Sequence, residues 1–118
     1  MAARKILLVD DNTMVRRALA RALFQTFTVY EAHNVETAIA LIENIGGIEL
    51  VVTDYFMHGM NGGDLLRHLR SEYPRIKVVL SSGIDHPLNG YDALLPKPVE
   101  NSRALCVIRS LLPKDPTP

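Results

Sequence analysis

Short apolar runs alternate along this chain with stretches whose apolar residues recur at helical spacing, and this alternation restricts the fold more than any other feature. The runs predict five strands, at residues 5–10, 27–32, 48–54, 76–81 and 93–95. The intervening patterns predict four helices, at residues 15–23, 35–45, 62–74 and 101–112. Strands joined through helices form a parallel sheet with helices on both faces. Right-handed crossovers then make the sheet doubly wound.

The size of the chain fits one compact domain. Its 118 residues suffice for a single hydrophobic core and not for two. Residues 1–113 are expected to form the domain, and residues 114–118 (KDPTP) are expected to be a tail or the stub of a linker.

Composition excludes several classes of function. Thirteen basic residues balance thirteen acidic ones, which argues against nucleic acid or an anionic membrane as partner, because such binding uses clustered Lys and Arg. Arg16, Arg17 and Arg21 do cluster, but on the polar side of a predicted helix, where a solvated face is expected. The first residues resemble neither a signal peptide nor a membrane span, so a cytoplasmic protein is expected. Cys106 lies in an apolar helical stretch and is expected to be a buried structural thiol.

Polar side chains stand at the ends of four predicted strands. Asp10 and Asp11 follow the first strand, Asp54 ends the third, two serines end the fourth, and Lys97 follows the fifth. Open α/β sheets bind ligands outside the carboxyl ends of their strands, where the strand order reverses. Taken singly, each residue has a structural alternative as a helix cap, a turn residue or a surface lysine. Their joint placement predicts a binding site.

The residue types indicate the ligand. Three carboxylates at one edge repel one another unless a cation holds them. All candidate donors are oxygens and no Cys/His cluster is near, so the cation is expected to be Mg²⁺, with Mn²⁺ as a substitute. Mg²⁺ favours phosphate oxygens in its open positions, and a lysine and a hydroxyl would contact the same phosphoryl group. One carboxylate would then act as nucleophile and form an acyl phosphate.

Four segments resemble motifs of the receiver (CheY-like) domains of two-component response regulators. They are ILLVDDN (6–12), VVTDYFMHGMNGGDLL (51–66), VVLSSG (78–83) and LPKP (95–98), spread in order over essentially the whole chain. The resemblance implies a flavodoxin-like (βα)5 fold, a doubly wound five-stranded parallel sheet of order 2-1-3-4-5. It also implies a phosphoacceptor in a two-component phosphorelay, which takes phosphate from a histidine kinase or histidine phosphotransfer protein and switches protein interactions.

The resemblance assigns roles at the acidic end of the sheet. Asp54 is implied as the phosphoacceptor. Asp11 and Asp54 are implied as Mg²⁺ ligands together with the backbone carbonyl of Phe56, while Asp10 acts through water. Self-phosphorylation and slow autodephosphorylation are the only reactions implied, so the chain is not expected to be an enzyme.

The resemblance also assigns roles to the fourth and fifth strands. Lys97 is implied to pair with the phosphate, and Pro98 after it is a candidate cis proline. Of the two serines, Ser82 matches the hydroxyl that closes on the phosphoryl group, because the small residue Gly83 follows it. A homodimer is compatible with this resemblance, whereas contact with nucleic acid or membrane through this domain is not expected.

The connection between the fourth and fifth strands departs from the family pattern. It is about two helical turns shorter than usual, and Pro87 and Gly90 disfavour a regular helix in it. Helix 4 of the (βα)5 order is therefore expected to be reduced or absent. Leu94 stands where the family often has an aromatic residue that moves on activation, and Tyr91 lies three residues earlier. Output through this face is expected to differ from the usual manner.

Two further departures lie close to the site. His58 stands where the family commonly has proline, and an exposed loop residue is expected rather than a metal ligand, since the other histidines show no soft-metal spacing. Phe56 and Ile84, two residues after Asp54 and Ser82, occupy positions that in receivers influence how water reaches the acyl phosphate. Because both are apolar, slow spontaneous dephosphorylation is expected.

Two alternatives remain open from the sequence. The first is a pseudo-receiver that acts only as a protein-interaction module, favoured by the shortened connection and Leu94 but disfavoured by the complete set of site residues. The second is a Mg²⁺-dependent hydrolase, but phosphatases with an aspartate nucleophile place their second aspartate two residues later, whereas Asp11 directly follows Asp10. No helix-turn-helix or kinase-like segment is present, so the output is expected on another chain or beyond residue 118.

Overall fold

The computed structural model describes residues 3–83 and 89–113. This part of the chain folds into five strands, β1 (Lys5–Val9), β2 (Thr28–Ala32), β3 (Ile48–Asp54), β4 (Lys77–Ser82) and β5 (Ala93–Pro96). Four helices accompany them, α1 (Thr13–Leu23), α2 (Val35–Ile45), α3 (Gly62–Glu72) and α4 (Asn101–Leu111). All strand pairs are parallel, in the order β2-β1-β3-β4-β5. The predicted flavodoxin-like sheet is confirmed.

Three of these helices begin at an asparagine. The side chains of Asn12, Asn34 and Asn61 each accept a hydrogen bond from a backbone N–H in the first helical turn, which satisfies a donor that has no partner inside the helix. Gly46 ends α2 with a φ of 70°, a conformation that favours glycine. Within residues 3–83 and 89–113, no helix combines the length and the apolar character needed to span a membrane.

Alternate residues of each central strand face opposite layers of the core. In β1, Ile6 and Leu8 belong to the apolar cluster shared with α1 and α4. Leu7 and Val9 belong to the cluster shared with α2 and α3. All four are at most 2% exposed. Edge strand β2 is only partly buried, as its alternating sequence predicts.

The connection from β4 to β5 is short, as predicted. It comprises residues 83–92, of which residues 84–88, including Pro87 and Ile84, lie outside the described part of the chain. Gly83 and residues 89–92 are not helical, so helix 4 of the (βα)5 order is short or absent, and α4 is the fifth helix of that order. Tyr91 packs against the core layer beneath α2 and α3.

Arg70 of α3 ties this connection to the body of the protein. Its guanidinium donates to the carbonyl of Gly90 at 2.8 Å, to the carbonyl of Ile76 at 2.9 Å and to the carboxylate of Asp92 at 2.7 Å. The same Asp92 carboxylate accepts the Val78 N–H of β4 at 2.8 Å. One arginine therefore fixes both the start of β4 and the residues that precede β5.

Two predictions about helix surfaces were wrong. Cys106 is exposed, because the buried residues of α4 are Ala104 and Ile108 and Cys106 lies half a turn from each. Arg16 does not belong to a solvated face, since its side chain is 11% exposed and is held in hydrogen bonds, whereas that of Arg17 is 60% exposed.

Candidate functional site

Asp10 is held rigidly at the end of β1. It is 8% exposed, and its Oδ1 accepts the Asn12 N–H at 2.9 Å. Its own N–H donates to the Ala32 carbonyl at 3.1 Å, and its carbonyl accepts a hydrogen bond from the guanidinium of Arg16 at 2.7 Å. Arg16 also donates to Glu31 at 2.9 Å. These contacts hold the backbone of Asp10 and one of its carboxylate oxygens at the end of β1.

Asp54 ends β3 and is 7% exposed. Burial raises the pKa of Asp54, the hydrogen bond and charge of Lys97 lower it, and the charge of Asp10 raises it, so that the net shift is upward. A raised pKa means that the surroundings destabilise the anion. Cation binding at this carboxylate therefore relieves an unfavourable charge.

Lys97 reaches the same point from β5. Its Nζ lies 3.1 Å from Asp54 Oδ1 and 3.8 Å from Asp10 Oδ2. Its backbone N–H donates to the carbonyl of Ser82 at 3.0 Å, which extends the pairing of β4 with β5. The peptide bond between Lys97 and Pro98 is cis. The lysine predicted from its place after the fifth strand therefore pairs directly with Asp54.

Asp11 projects to the outer side of the cluster, where it meets the loop that follows β3. Its Oδ2 accepts the backbone N–H of His58 at 3.1 Å and lies 2.8 Å from His58 Nδ1. The hydrogen bond from the His58 side chain, followed by the one from its backbone, lowers the pKa of Asp11 below its ordinary value. The side chain of Asp11 is 28% exposed and that of His58 is fully exposed, as predicted for a loop residue.

The three aspartates form a set of oxygen donors suited to a hard cation. Asp10, Asp11 and Asp54 each offer a carboxylate oxygen, and these oxygens lie within 4.8 Å of one another. Lys97 contributes one positive charge against three negative ones. Hard oxygen donors with excess negative charge fit Mg²⁺, which binds one or two carboxylates and keeps further positions for water or phosphate. The residues present therefore fit the predicted cation.

The two serines at the end of β4 lie in different surroundings. Ser81 pairs in register with Asp54, and its buried hydroxyl has no hydrogen-bond partner among the residues that the structure describes. Ser82 is 2% exposed and pairs in register with Pro96. The assignment of the phosphoryl-binding hydroxyl to Ser82 remains a prediction.

A cavity of about 540 Å³ opens from the acidic cluster into the groove between α1 and α4. Asp10, Asp54, Ser81 and Lys97 line it together with apolar side chains that include Leu8, Val15, Ala18, Leu19, Val52 and Val99. The phosphoacceptor candidate is therefore accessible from a largely apolar groove. Val15, in the first turn of α1, is 43% exposed at this groove.

Gly62 brings the start of α3 against the backbone of Asp54. A Cβ at residue 62 would lie 2.6 Å from the Asp54 carbonyl oxygen and 3.0 Å from the Cα of Tyr55. The Gly62 N–H donates to the Tyr55 carbonyl at 2.9 Å. Only a residue without a side chain permits this approach, so the glycine of the motif positions the loop after β3.

Three other residues named from the sequence are Phe56, Leu94 and Ile84. Phe56 is 59% exposed, and its ring lies 4.8 Å from that of Tyr55. Its backbone carbonyl as a cation ligand remains a prediction. Leu94 is half-buried in β5. Ile84 lies outside the described residues.

Sequence reasoning missed two contacts around the site. They are the hydrogen bond from Arg16 to the Asp10 backbone and the contact of His58 with Asp11. The contact of Arg16 could have been predicted, because the first turns of a helix that follows a strand lie near the strand end. The contact of His58 could not, since its position depends on the path of a loop.

The sheet order and the acidic cluster at its carboxyl edge define the class of the protein as a flavodoxin-like α/β domain with a candidate cation site. The family model for the response regulator receiver domain matches residues 6–105. The chain belongs to this family, whose members bind Mg²⁺ at an acidic pocket and interact with histidine kinases or phosphotransfer proteins. The resemblance of the four sequence motifs is thereby confirmed.

Relatives occur both in kinases and in regulators. The sensor kinase CckA of Brucella abortus is 34% identical over 118 residues, which cover 92% of this chain and 12% of the kinase. The transcriptional regulatory protein CpxR of Escherichia coli K12 is 34% identical over 115 residues, which cover 92% of this chain and 49% of CpxR. The chain thus spans half or less of the length of these relatives.

Solved structures agree with the fold. The crystal structure of a CheY-like response regulator receiver domain protein from Methanospirillum hungatei superposes with a TM-score of 0.85 at 27% identity, covering 92% of this chain and 93% of that one. The similarity extends over nearly the whole of both chains.

Proposed function

We propose that this receiver domain accepts a phosphoryl group on Asp54 from a phosphohistidine of a histidine kinase or phosphotransfer protein. The observation that carries this proposal is the 3.1 Å contact between Lys97 Nζ and Asp54 Oδ1, with oxygens of Asp10 and Asp11 within 4.8 Å of an Asp54 oxygen. A nucleophilic carboxylate, a fixed cation and a metal-type donor set meet there at one edge of the sheet. Each is a separate requirement of phosphoryl transfer.

The chemistry follows from this arrangement. A carboxylate oxygen of Asp54 attacks the phosphorus, the bond from phosphorus to the donor nitrogen breaks, and the donor histidine recovers its lone pair. Burial raises the pKa of Asp54, so the added negative charge of the acyl phosphate has to be offset by positive charge at the site. The ammonium of Lys97 pairs with the charge of the transferred group, and the hydroxyl of Ser82 donates to one of its oxygens. Mg²⁺, held by Asp11, Asp54 and the Phe56 carbonyl with Asp10 acting through water, would offset charge on the phosphoryl oxygens.

The proposed role is a switch of protein interactions rather than turnover of an external substrate. Asp54 acts stoichiometrically because its acyl phosphate stays attached to the chain until water removes it. The apolar side chain of Phe56, exposed next to the site, offers no group to orient such a water. The proposal therefore includes slow hydrolysis of the acyl phosphate.

Intact-mass measurement tests the proposal. The protein is incubated with acetyl phosphate or phosphoramidate and Mg²⁺, and the gain of one phosphoryl group is expected. Asp54→Ala is expected to abolish the gain. Ser82→Ala is expected to slow it more than Ser81→Ala, a matched change one residue earlier. Absence of labelling and of beryllofluoride binding in a folded protein would favour the pseudo-receiver instead.

A further inference from the structure

His58 lies at the rim of the acidic cluster and contacts one of its three members. Its Nδ1 is 2.8 Å from Asp11 Oδ2, and its backbone N–H donates to the same oxygen at 3.1 Å. The backbone hydrogen bond holds the loop beside Asp11, so the imidazole ring of His58 stays near Asp11 even without its own contact. An imidazole nitrogen is thus placed next to the carboxylate of Asp11, and Asp11 is one of the three aspartates of the candidate cation site.

The separation of the two atoms suits a shared cation. Neighbouring ligands of an octahedral ion with bonds of about 2.1 Å lie about 3.0 Å apart. The observed 2.8 Å between Nδ1 and Oδ2 is close to this value. Small rotations of two side chains would therefore let one ion contact both atoms.

Open space also lies on the His58 side of Asp11. A cavity of about 350 Å³ is lined by Asp11, Phe56, Met57 and His58. The His58 ring is fully exposed, so no packing contact limits its rotation. The hydrogen bond between Nδ1 and Asp11 Oδ2 is the contact that a shared ion would replace.

We propose that His58 is an additional ligand of the divalent cation, and that it shifts the preference of the site from Mg²⁺ towards ions that accept imidazole, such as Co²⁺, Ni²⁺ and Zn²⁺. This inference rests on the proposed function, because it uses the same cation site. Three carboxylates alone already distinguish between divalent ions, so part of any preference for one ion does not depend on His58. The contribution of His58 is the part of the preference for transition ions over Mg²⁺ that is lost when the imidazole is removed.

Binding measurements on matched variants isolate that contribution. Calorimetric titrations of the apo protein with Mg²⁺ and with Co²⁺ give the ratio of the two dissociation constants. His58→Ala is expected to reduce the preference for Co²⁺ by about tenfold or more. Loss of a group that only supports a metal ligand already reduces metal affinity by about tenfold, and loss of a ligand should cost at least as much. His58→Asn is expected to do the same, although its amide still donates a hydrogen bond to Asp11. His33→Ala removes another exposed histidine and is expected to leave the ratio unchanged.

A spectroscopic measurement reports on coordination itself. The visible absorption of bound Co²⁺ is expected to move, in His58→Ala and His58→Asn alike, towards that of coordination by oxygen alone. An unchanged spectrum and an unchanged ratio in both variants would overturn the inference. So would an equal loss of affinity for both ions, or a ratio that His58→Asn preserves, because either result describes a residue that only positions Asp11.

The inference and the proposed function fail in different ways. If the unmodified protein binds neither ion, or is not phosphorylated with Mg²⁺, the proposed function itself falls. If Mg²⁺ binds and Asp54 is phosphorylated, but the ratio of the two dissociation constants is the same in the His58 variants, only the inference is refuted. Mass spectrometry and calorimetry on the same preparation separate the two results.

Discussion

Replacing Arg70 by methionine is expected to loosen the short connection between β4 and β5. The variant keeps much of the apolar stem of the arginine and removes its guanidinium, which bonds the carbonyls of Ile76 and Gly90 and the carboxylate of Asp92. Because residues 89–92 lack helical hydrogen bonds of their own, these contacts carry much of the order in that segment.

The size of the effect follows from the burial of each contact. The bond to the Ile76 carbonyl is partly buried and contributes about 1 kcal/mol. The ion pair with Asp92 has side chains 31% and 26% exposed, so screening by water limits it to about 0.5 kcal/mol. The exposed bond to the Gly90 carbonyl adds a similar amount, about 0.5 kcal/mol. A loss of about 2 kcal/mol corresponds to a decrease in Tm of about 6 to 10 °C for a domain of this size.

Thermal and urea unfolding measure the loss, and hydrogen exchange locates it. The Asp92 N–H, which donates to the Val78 carbonyl at 2.8 Å, is expected to exchange faster in the variant. Arg67→Met is the control, since Arg67 lies on the same helix but is 69% exposed, and within the described part of the chain it pairs with Asp64 in the preceding turn. If both variants lose equal stability, or if Asp92 exchange is unchanged, Arg70 does not hold the connection.

Three further predictions concern pH, cation and phosphate. Burial tends to raise the pKa of Asp92, but hydrogen bonds from the Val78 N–H and Arg70 outweigh it and lower the pKa. Its stabilising contribution is therefore complete above the ordinary pKa of about 3.9 and is lost as pH falls through the lowered value. Tm between pH 3 and 7 should fall more steeply below about pH 4 in the unmodified protein than in Asp92→Asn, and parallel curves would contradict this. Mg²⁺ at a hundredfold excess over its Kd should stabilise the protein by about 2.7 kcal/mol, and Asp11→Ala should abolish the shift in Tm. An equal shift in that variant would remove Asp11 from the ligand set. Phosphate on Asp54 should be lost slowly, and Phe56→Asn should accelerate its release by supplying an amide that orients water; a time course unchanged by this substitution would refute that role for Phe56.

The strand ends explain why so much of the site was predictable. Parallel strands bring their carboxyl ends to one edge, so the order of the strands suffices to place Asp10, Asp54 and Lys97 together. The end of one helix was also predictable, since α2 ends at Ile45 as the predicted range 35–45 requires, and Gly46 closes it. These features depend on local chemistry and on topology, and the residue pattern indicates both.

The features that escaped prediction depend on which face or which loop a residue occupies. Cys106 sits among apolar neighbours in the sequence, yet the side of α4 that packs on the sheet passes through Ala104 and Ile108. His58 meets Asp11 because of the path of the loop after β3. The contacts of Arg70 likewise depend on how the shortened connection returns towards α3, which neither spacing nor composition specifies.

The bare backbone of Gly62 has a mechanical consequence. One end of α3 touches the main chain of Asp54 without an intervening side chain, and Arg70, about 12 Å further along the same helix, grips the segment before β5. Helix α3 therefore links the end of β3 to the connection between β4 and β5. A displacement of the Asp54 backbone would be carried to that connection by movement of α3 as one body.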